Sequence, residues 1–378
     1  MQIHPFTINV KETILTDLQQ RLKNTRLSDS VDRDSWSYGA NPAYVAELVD
    51  YWRDTFDWKS IEKNLNSLPH YKTKIDKMDI HFIHQKSDDP NAPTLILLHG
   101  WPDSFVRFSK ILPLLTHPKD GQQSFNVVVP SIPGFGFSDK PQTPGWTVKS
   151  SAHAFVRLME RLSYTSYITV GGDGGSPIAQ LMAHEAPDAV RGVYLTDRGF
   201  TASEPDAATQ SDAEKAYFQA MHMYSFGEGA YAMLQMTKPQ TLAFGLNDSP
   251  VGLAAWIIEK FYGWSDINSD LETIYTKDEL LTNIMIYWVT QTIGSSVRSY
   301  REELMSPSIP AGTYLKSPTG FGLFPKEAAG VLPPMELLER DFNLVHHTQF
   351  SHGGHFTAME QPEAMAEDLR NFSLVLTK

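Results

Sequence analysis

A glycine-flanked aspartate lies where a predicted strand turns into a predicted helix. The segment GGDGG (residues 171–175) directly follows the β-branched stretch SYITV and precedes SPIAQ, which has helical spacing. A strand–turn–helix elbow forces its central residue into strained backbone geometry, and small neighbours let strand and helix approach while the side chain projects into a cleft. Asp173 is therefore a candidate nucleophile. The alternative is an ordinary glycine-rich turn that caps the next helix.

A second turn supplies candidate hydrogen-bond donors. HGWP (residues 99–102) ends the apolar stretch TLILLHG, where a turn can aim backbone N–H groups at a developing oxyanion. The N–H groups of Trp101 and of Gly174, the residue after the candidate nucleophile, would form a two-donor oxyanion hole. The alternative is that Gly100 and Pro102 only form a turn, with His99 as a structural hydrogen-bonding residue.

His355 is the candidate general base. It lies in GGHF (residues 353–356), a glycine-loosened loop after the last predicted strand. A triad that runs nucleophile, acid, histidine along the chain needs a carboxylate near the end of the preceding strand. Glu327 occupies that position, and Asp197 at the end of VRGVYLT is the rival orienting acid. A metal cluster would be the alternative use of the nearby histidines His346, His347 and His352. We expect no metal, because the chain has no HExxH or comparable ligand spacing.

An aspartate nucleophile implies a particular kind of substrate. A carboxylate can attack an electrophilic sp³ carbon and leave an ester whose carbonyl belongs to the enzyme, which water activated by His355 could hydrolyse. Epoxides and alkyl halides are the two main candidates. An epoxide oxygen needs proton donors, and phenols with an ordinary pKa of about 10 are neutral donors at pH 7. Tyr231, Tyr287 and Tyr300 are available in the later part of the chain, although a single tyrosine is more often a packing residue.

Alternating strands and helices must position these groups. TLILLHG (residues 94–100) and FNVVVPSIPG are apolar strands, and residues 146–162 have the spacing of an amphipathic helix. SYITVGG, SPIAQLMAHEA and VRGVYLT continue as strand, helix and strand. The pattern predicts an α/β protein with a mainly parallel sheet flanked by helices, and with its sites at the carboxyl ends of the strands.

The pattern changes on both sides of this core. Residues 10–65 read as polar helices, and residues 201–308 read as a helical lid rich in aromatic residues and methionine. Strand character returns in AGTYLKSPTGFGLF and LVHHTQF, and a helix that begins near Pro362 closes the chain. The lid is therefore expected to be inserted before the last two strands.

Composition excludes several classes of function. The 32 basic and 44 acidic residues give a net charge of −12, which disfavours nucleic acid and anionic membrane as partners. The chain has no cysteine, so thiol nucleophiles, thiolate metal sites and disulfides are absent. No leader-like start and no long apolar run is present, and we expect a soluble cytoplasmic protein.

The chain resembles microsomal-type epoxide hydrolases of the α/β-hydrolase fold over nearly its whole length. The family's blocks appear in the family's order as YKTKIDKMDIHFIHQK, HGWPDS, GGDGGS, TKPQT, LNDSPVGLAAWIIEKF, LLTNIMIYW, PTGFGLFP and GGHFTAME. The resemblance implies an N-terminal meander over residues 1–70, a core over 71–200 and 309–378, and a lid over 201–308. It also implies that Asp173 is the nucleophile, His355 the base, Glu327 its orienting acid, and Tyr231 and Tyr300 the ring-opening acids.

Two features depart from that family. Gly174 stands where the microsomal enzymes usually carry tryptophan, which suggests a roomier pocket beside the nucleophile and disfavours a dehalogenase that relies on tryptophan there. The sequence starts at residues that resemble the meander, so we expect no membrane-anchoring helix of the kind found in that family.

The expected activity is conversion of a small hydrophobic epoxide and water to a vicinal diol through an aspartyl ester, without cofactor or metal. A haloalkane or haloacid dehalogenase with the same nucleophile is one alternative. A catalytically silent α/β-hydrolase that binds a small ligand is another. An exposed aromatic lid also suggests a homodimer.

Overall fold

One mixed sheet runs through the protein. The computed structural model describes residues 2–119, 121–199, 204–310 and 312–377, and within these ranges nine strands form the sheet in the order β1-β2-β3-β5-β4-β6-β7-β8-β9. The strands are β1 (Ile3–Pro5), β2 (His70–Ile75), β3 (Met78–Gln85), β4 (Thr94–Leu98), β5 (Asn126–Pro130), β6 (Tyr167–Gly171), β7 (Val190–Leu195), β8 (Leu315–Leu323) and β9 (Phe342–Gln349).

Along the sheet order from β5 through β4, β6, β7 and β8 to β9, each pair of neighbouring strands is parallel. The pairs β1–β2, β2–β3 and β3–β5 are antiparallel. Every residue of β4 and β6 is buried, as expected for central strands covered by helices on both faces. The predicted α/β architecture with a mainly parallel sheet is confirmed. β4 ends at Leu98, earlier than the apolar run suggested, because His99 and Gly100 already belong to the following turn.

Helices flank the sheet, and their packing on the strands holds the connecting turns in place. They are α4 (Ile111–Thr116), α5 (Val148–Arg161), α6 (Gly175–Glu185), α13 (Met335–Asp341), α14 (Thr357–Glu360) and α15 (Pro362–Val375). Helix α5 buries Ala152, Phe155 and Met159, a spacing of three and four residues that places one apolar stripe toward the core. Helix α6 packs on both β6 and β7, so the β6–α6 turn is held from two sides.

A helical lid lies between β7 and β8. Within the described residues it contains six α-helices, α7 (Asp212–Gly227), α8 (Ala230–Thr237), α9 (Pro239–Asp248), α10 (Pro250–Trp264), α11 (Lys277–Thr290) and α12 (Ile293–Met305). Ser211 with Glu214, and Thr276 with Glu279, form capping boxes that begin α7 and α11. The lid start expected at residue 201 lies outside the described residues.

The N-terminal region joins the lid to the core. Its helices are α1 (Glu12–Lys23), α2 (Pro42–Asp54) and α3 (Trp58–Leu65). Trp36 stacks on Tyr262 of α10 with ring centroids 4.0 Å apart, and Tyr51 donates to Asp278 of α11 at 3.0 Å. None of the helices in the described part of the chain is long and apolar enough to cross a membrane.

The first helical residue after the elbow has no room for a side chain. A Cβ on Gly175 would lie 2.1 Å from the carbonyl oxygen of Leu98, the last residue of β4. We predict that Gly175→Ala lowers the free energy of unfolding by about 1 to 3 kcal/mol, because α6 and β4 must move apart. Denaturant unfolding followed by circular dichroism measures this.

Gly245→Ala is the matched control. Gly245 lies within α9, and no described atom would come within 4 Å of an added Cβ. Alanine there should stabilise the protein by about 0.5 to 1 kcal/mol, because glycine is the poorer helix former. Equal effects of the two substitutions would contradict the close approach of α6 and β4.

Candidate active site

Asp173 lies at the tip of a strained turn between β6 and α6. Its φ is 55°, in the left-handed region that non-glycine residues rarely adopt. Its backbone N–H donates to Asp197 Oδ2 at 2.6 Å, which holds the turn from behind. The side chain is only 2% exposed, so its carboxylate needs partners inside the protein.

The two carboxylate oxygens of Asp173 have different surroundings. Oδ1 accepts the backbone N–H groups of Trp101 at 2.9 Å and of Gly174 at 2.5 Å. A Cβ on Gly100 would lie 2.2 Å from Oδ1, so the close approach of this turn requires glycine. Oδ2 has no hydrogen-bond partner among the described residues. One oxygen is thus fixed in the predicted oxyanion hole, and the other is available for chemistry.

His355 connects Asp173 to Glu327. Its Nε2 lies 3.5 Å from Asp173 Oδ2, and its Nδ1 lies 2.8 Å from Glu327 Oε1. The imidazole is 1% exposed, and Nε2 has no hydrogen-bond partner within the described parts of the chain. Its backbone N–H donates to the carbonyl of Trp264, at the end of α10, at 2.8 Å. The lid and the core therefore both fix this ring.

The two candidate orienting acids have different positions. Glu327 faces the imidazole, whereas the Asp197 carboxylate accepts the N–H groups of Asp173 at 2.6 Å and of Gly199 at 2.8 Å. Asp197 thus supports the elbow. Burial and the neighbouring Glu327 carboxylate raise the pKa of Asp197.

Burial and hydrogen bonding set the charges of the pair. Burial acts to raise the pKa of Asp173, but His355 and the two N–H groups outweigh it and hold this pKa below its usual value. Burial acts to lower the pKa of His355, but the carboxylates of Glu327 and Asp173 raise it well above the usual value. Both shifts favour a carboxylate facing an imidazolium.

Tyr231 and Tyr300 line a cavity together with Asp173. The cavity has a volume of about 420 Å³ and is walled on the lid side by α7, α8 and α12. The Tyr231 ring stacks on Trp101 with centroids 5.4 Å apart, and Tyr300 meets Trp101 edge-on at 5.9 Å. Burial raises the pKa of both tyrosines well above the usual value, so both are neutral donors.

Tyr287, a third phenol in the lid, lies elsewhere. Its hydroxyl donates to the carbonyl of Asp103 at 2.7 Å, beneath the turn that carries Trp101. It supports that turn.

Comparison with known proteins identifies the family to which the chain belongs. Residues 3–108 match the family model for the epoxide hydrolase N terminus, and residues 93–230 match the model for the alpha/beta hydrolase fold. The chain is 37% identical to epoxide hydrolase 1 of Sus scrofa, over 98% of this chain and 88% of that protein. The chain belongs to the epoxide hydrolase family.

Solved structures of this epoxide hydrolase family share the whole architecture. The crystal structure of juvenile hormone epoxide hydrolase from the silkworm Bombyx mori has a TM-score of 0.87 at 30% identity and covers 100% of this chain and 94% of its own. The epoxide hydrolase of Aspergillus niger has a TM-score of 0.86 at 30% identity, with 100% and 97% covered. The resemblance inferred from the sequence blocks is confirmed.

A buried ion pair near the site of this epoxide hydrolase was missed from the sequence. Arg107 donates to Asp103 Oδ2 at 2.5 Å and to the carbonyl of His355 at 2.6 Å, while Asp103 Oδ1 accepts the N–H of Gly100 at 2.9 Å. The pair joins the Trp101 turn to the His355 loop. Its signal is the i, i+4 spacing of opposite charges in the apolar segment DSFVRF.

His346 and His352, which were considered as metal ligands, lie in separate surroundings in this epoxide hydrolase. His346 Nε2 contacts Asp368 Oδ1 at 2.9 Å, on the β9 side of α15, whereas the His352 ring is exposed. Across the described ranges, no group of three or more His, Cys, Asp or Glu side chains has a metal-binding arrangement.

We predict that Glu327→Gln lowers the pKa of His355, because the amide removes the negative charge facing Nδ1. As pH rises, the ring should lose its proton earlier than in the unsubstituted enzyme, which NMR titration of the imidazole measures. Asp368→Asn is the matched control, because that carboxylate contacts His346 instead. An unchanged His355 titration in Glu327→Gln would contradict the assigned contact.

Proposed function

We propose that this chain hydrolyses epoxides to vicinal diols through a covalent ester on Asp173. The observation that carries the proposal is that the two oxygens of the Asp173 carboxylate have different hydrogen-bonding surroundings. Oδ1 accepts hydrogen bonds from two backbone N–H groups. Oδ2 has no hydrogen-bond partner among the described residues and lies 3.5 Å from His355 Nε2. A carboxylate used only for structure would have both oxygens paired.

In the first step, Asp173 Oδ2 attacks a ring carbon and the carbon–oxygen bond of the epoxide breaks. Tyr231 and Tyr300 hydrogen-bond the epoxide oxygen, and one phenolic proton moves to the developing alkoxide. The carboxylate charge is thereby replaced by a phenolate charge. The buried phenols suit this role because they are fully protonated before the reaction.

In the second step, water adds to the Asp173 carboxyl carbon. Ester formation removes the negative charge opposite His355, so the imidazolium releases its proton through solvent to the phenolate, and the neutral ring then takes a proton from the attacking water. The tetrahedral oxyanion develops at Oδ1, between the N–H groups of Trp101 and Gly174. Collapse breaks the bond between the carboxyl carbon and Oδ2, and the departing alkoxide takes the proton of the added hydroxyl. The diol leaves, and the carboxylate and the imidazolium are restored.

The cavity suits a small hydrophobic epoxide. Beyond the polar centre it is lined largely by apolar groups, among them Ile132, Phe135, Ile178, Met221 and Met236. Gly174 adds no side chain beside the nucleophile, and a Cβ there would meet only the Cα of Gly100 at 3.6 Å among the described atoms. The steps use only carboxylate, imidazole, phenol and water, so the proposal includes no cofactor.

The lid phenols favour an epoxide over an alkyl halide. A departing halide carries its own negative charge and needs no proton, whereas an opening epoxide does. Two neutral phenols on one cavity with the nucleophile therefore support epoxide opening.

We predict that His355→Gln still forms the ester but hydrolyses it slowly. Loss of a well-placed general base costs about 10²- to 10⁴-fold in rate, so the ester should accumulate. Intact-protein mass spectrometry after mixing with styrene oxide should show an added mass equal to one substrate.

His346→Gln is the control, because His346 lies away from the cavity against Asp368. It should turn over without a detectable adduct. Continued rapid diol formation by His355→Gln without an adduct would refute the role of His355 as the base that hydrolyses the ester.

A further inference from the structure

Lys260 is a buried lysine that the steps above do not use. It lies on α10 with 5% of its surface exposed, and its Nζ is 2.6 Å from Glu259 Oε2. The ammonium lies 4.5 Å from the centroid of the Tyr231 ring and 5.7 Å from that of Trp264. The ion pair with Glu259 compensates the charge, but burying the ammonium still costs free energy, so this placement needs an explanation.

The ring that Lys260 contacts belongs to one of the two proposed proton donors. Tyr231 also stacks on Trp101 and meets Trp264 and Tyr300 at centroid distances of 5.3 Å and 6.3 Å. These aromatic neighbours fix the orientation of the ring but carry no charge.

The titratable groups around Tyr231 come from several elements. Burial acts most strongly to raise its pKa, and Tyr224 of α7 and the Asp173 carboxylate act in the same direction, whereas the hydrogen bond with Tyr300 of α12 acts to lower it. Burial, Tyr224 and Asp173 therefore oppose a phenolate. The Tyr300 hydrogen bond and a cation beside the ring favour one, and Lys260 supplies the cation from α10.

We propose that Lys260 is a positioning residue for ring opening, and that its ammonium stabilises the Tyr231 phenolate that remains when the phenolic proton has moved to the epoxide oxygen. This inference rests on the proposed function. The Asp173 carboxylate becomes a neutral ester in the same step, so one negative charge disappears near His355 and one appears on Tyr231. Water and His355 later restore both protonation states.

The two lid tyrosines then have unequal roles. Lys260 faces the Tyr231 ring, whereas the ring contacts of Tyr300 are with Trp101 and Tyr231. Tyr231 is accordingly the proton donor, and Tyr300 holds the epoxide oxygen by a hydrogen bond. The assignment predicts that the effect of Lys260 depends on the hydroxyl of Tyr231.

The test is a double-mutant cycle on the rate of ester formation, measured by rapid quench and intact-protein mass spectrometry with styrene oxide. Lys260→Met keeps the length of the side chain and removes its charge. It should slow ester formation about tenfold, as expected for a desolvated cation–π contact. The same loss should appear in a Tyr300→Phe background and vanish in a Tyr231→Phe background. Lys260→Arg should restore most of the rate.

Lys277→Met is the matched control. Lys277 is also largely buried beside two tyrosine rings, 5.9 Å from those of Tyr44 and Tyr51, but it lies at the junction of α11 and the N-terminal region. This substitution should leave the rate of ester formation unchanged.

The outcomes separate the two proposals. An equal loss from Lys260→Met in all three backgrounds, or no loss in any, overturns the role of Lys260 and leaves the ester mechanism standing. Failure of the unsubstituted enzyme to form either ester or diol would overturn the proposed function itself. A loss confined to backgrounds that keep Tyr231 supports the inference.

Discussion

The unequal hydrogen bonding of one carboxylate is the feature on which the rest of the structure depends. Two backbone N–H groups fix Oδ1 of Asp173, while Oδ2 has no hydrogen-bond partner among the described residues and lies 3.5 Å from His355 Nε2. Backbone donors cannot rotate away as side chains can, so the fold itself sets this difference between the two oxygens. It requires the left-handed turn at Asp173 and close contact with Gly100, and both follow from packing β4 and β6 side by side beneath α6.

The need to balance charge in a buried site explains the charged residues that surround Asp173. Asp173, Glu327 and Asp197 bring carboxylates together where water is scarce, and such a cluster is costly without compensation. His355 offsets part of this charge, and Arg107 adds a permanent cation that also binds the carbonyl of His355. The surrounding loops therefore supply the positive charge and the N–H groups that favour an ionised Asp173.

The sequence predicted the features that local chemistry determines. The elbow at Asp173 and the α/β alternation could be inferred because glycine spacing and apolar periodicity encode them directly. The edge strand β1 and its neighbour β2 were not anticipated, because short strands outside a parallel core carry little periodic signal.

Contacts between distant segments were beyond sequence reasoning. The choice between Glu327 and Asp197 depends on which carboxylate reaches the imidazole across several loops. The contacts of Arg107 with His355 and of Lys260 with Tyr231 join segments far apart in the chain. Spacing alone does not specify such three-dimensional neighbours.

The central claim is that an oxygen of Asp173 enters the product. A single turnover in heavy-oxygen water, with enzyme in excess over epoxide, tests it most directly. The account predicts an unlabelled diol and one heavy oxygen in the Asp173 carboxylate, located by mass spectrometry of the peptide. A labelled diol from that first turnover, with an unlabelled Asp173, would contradict it.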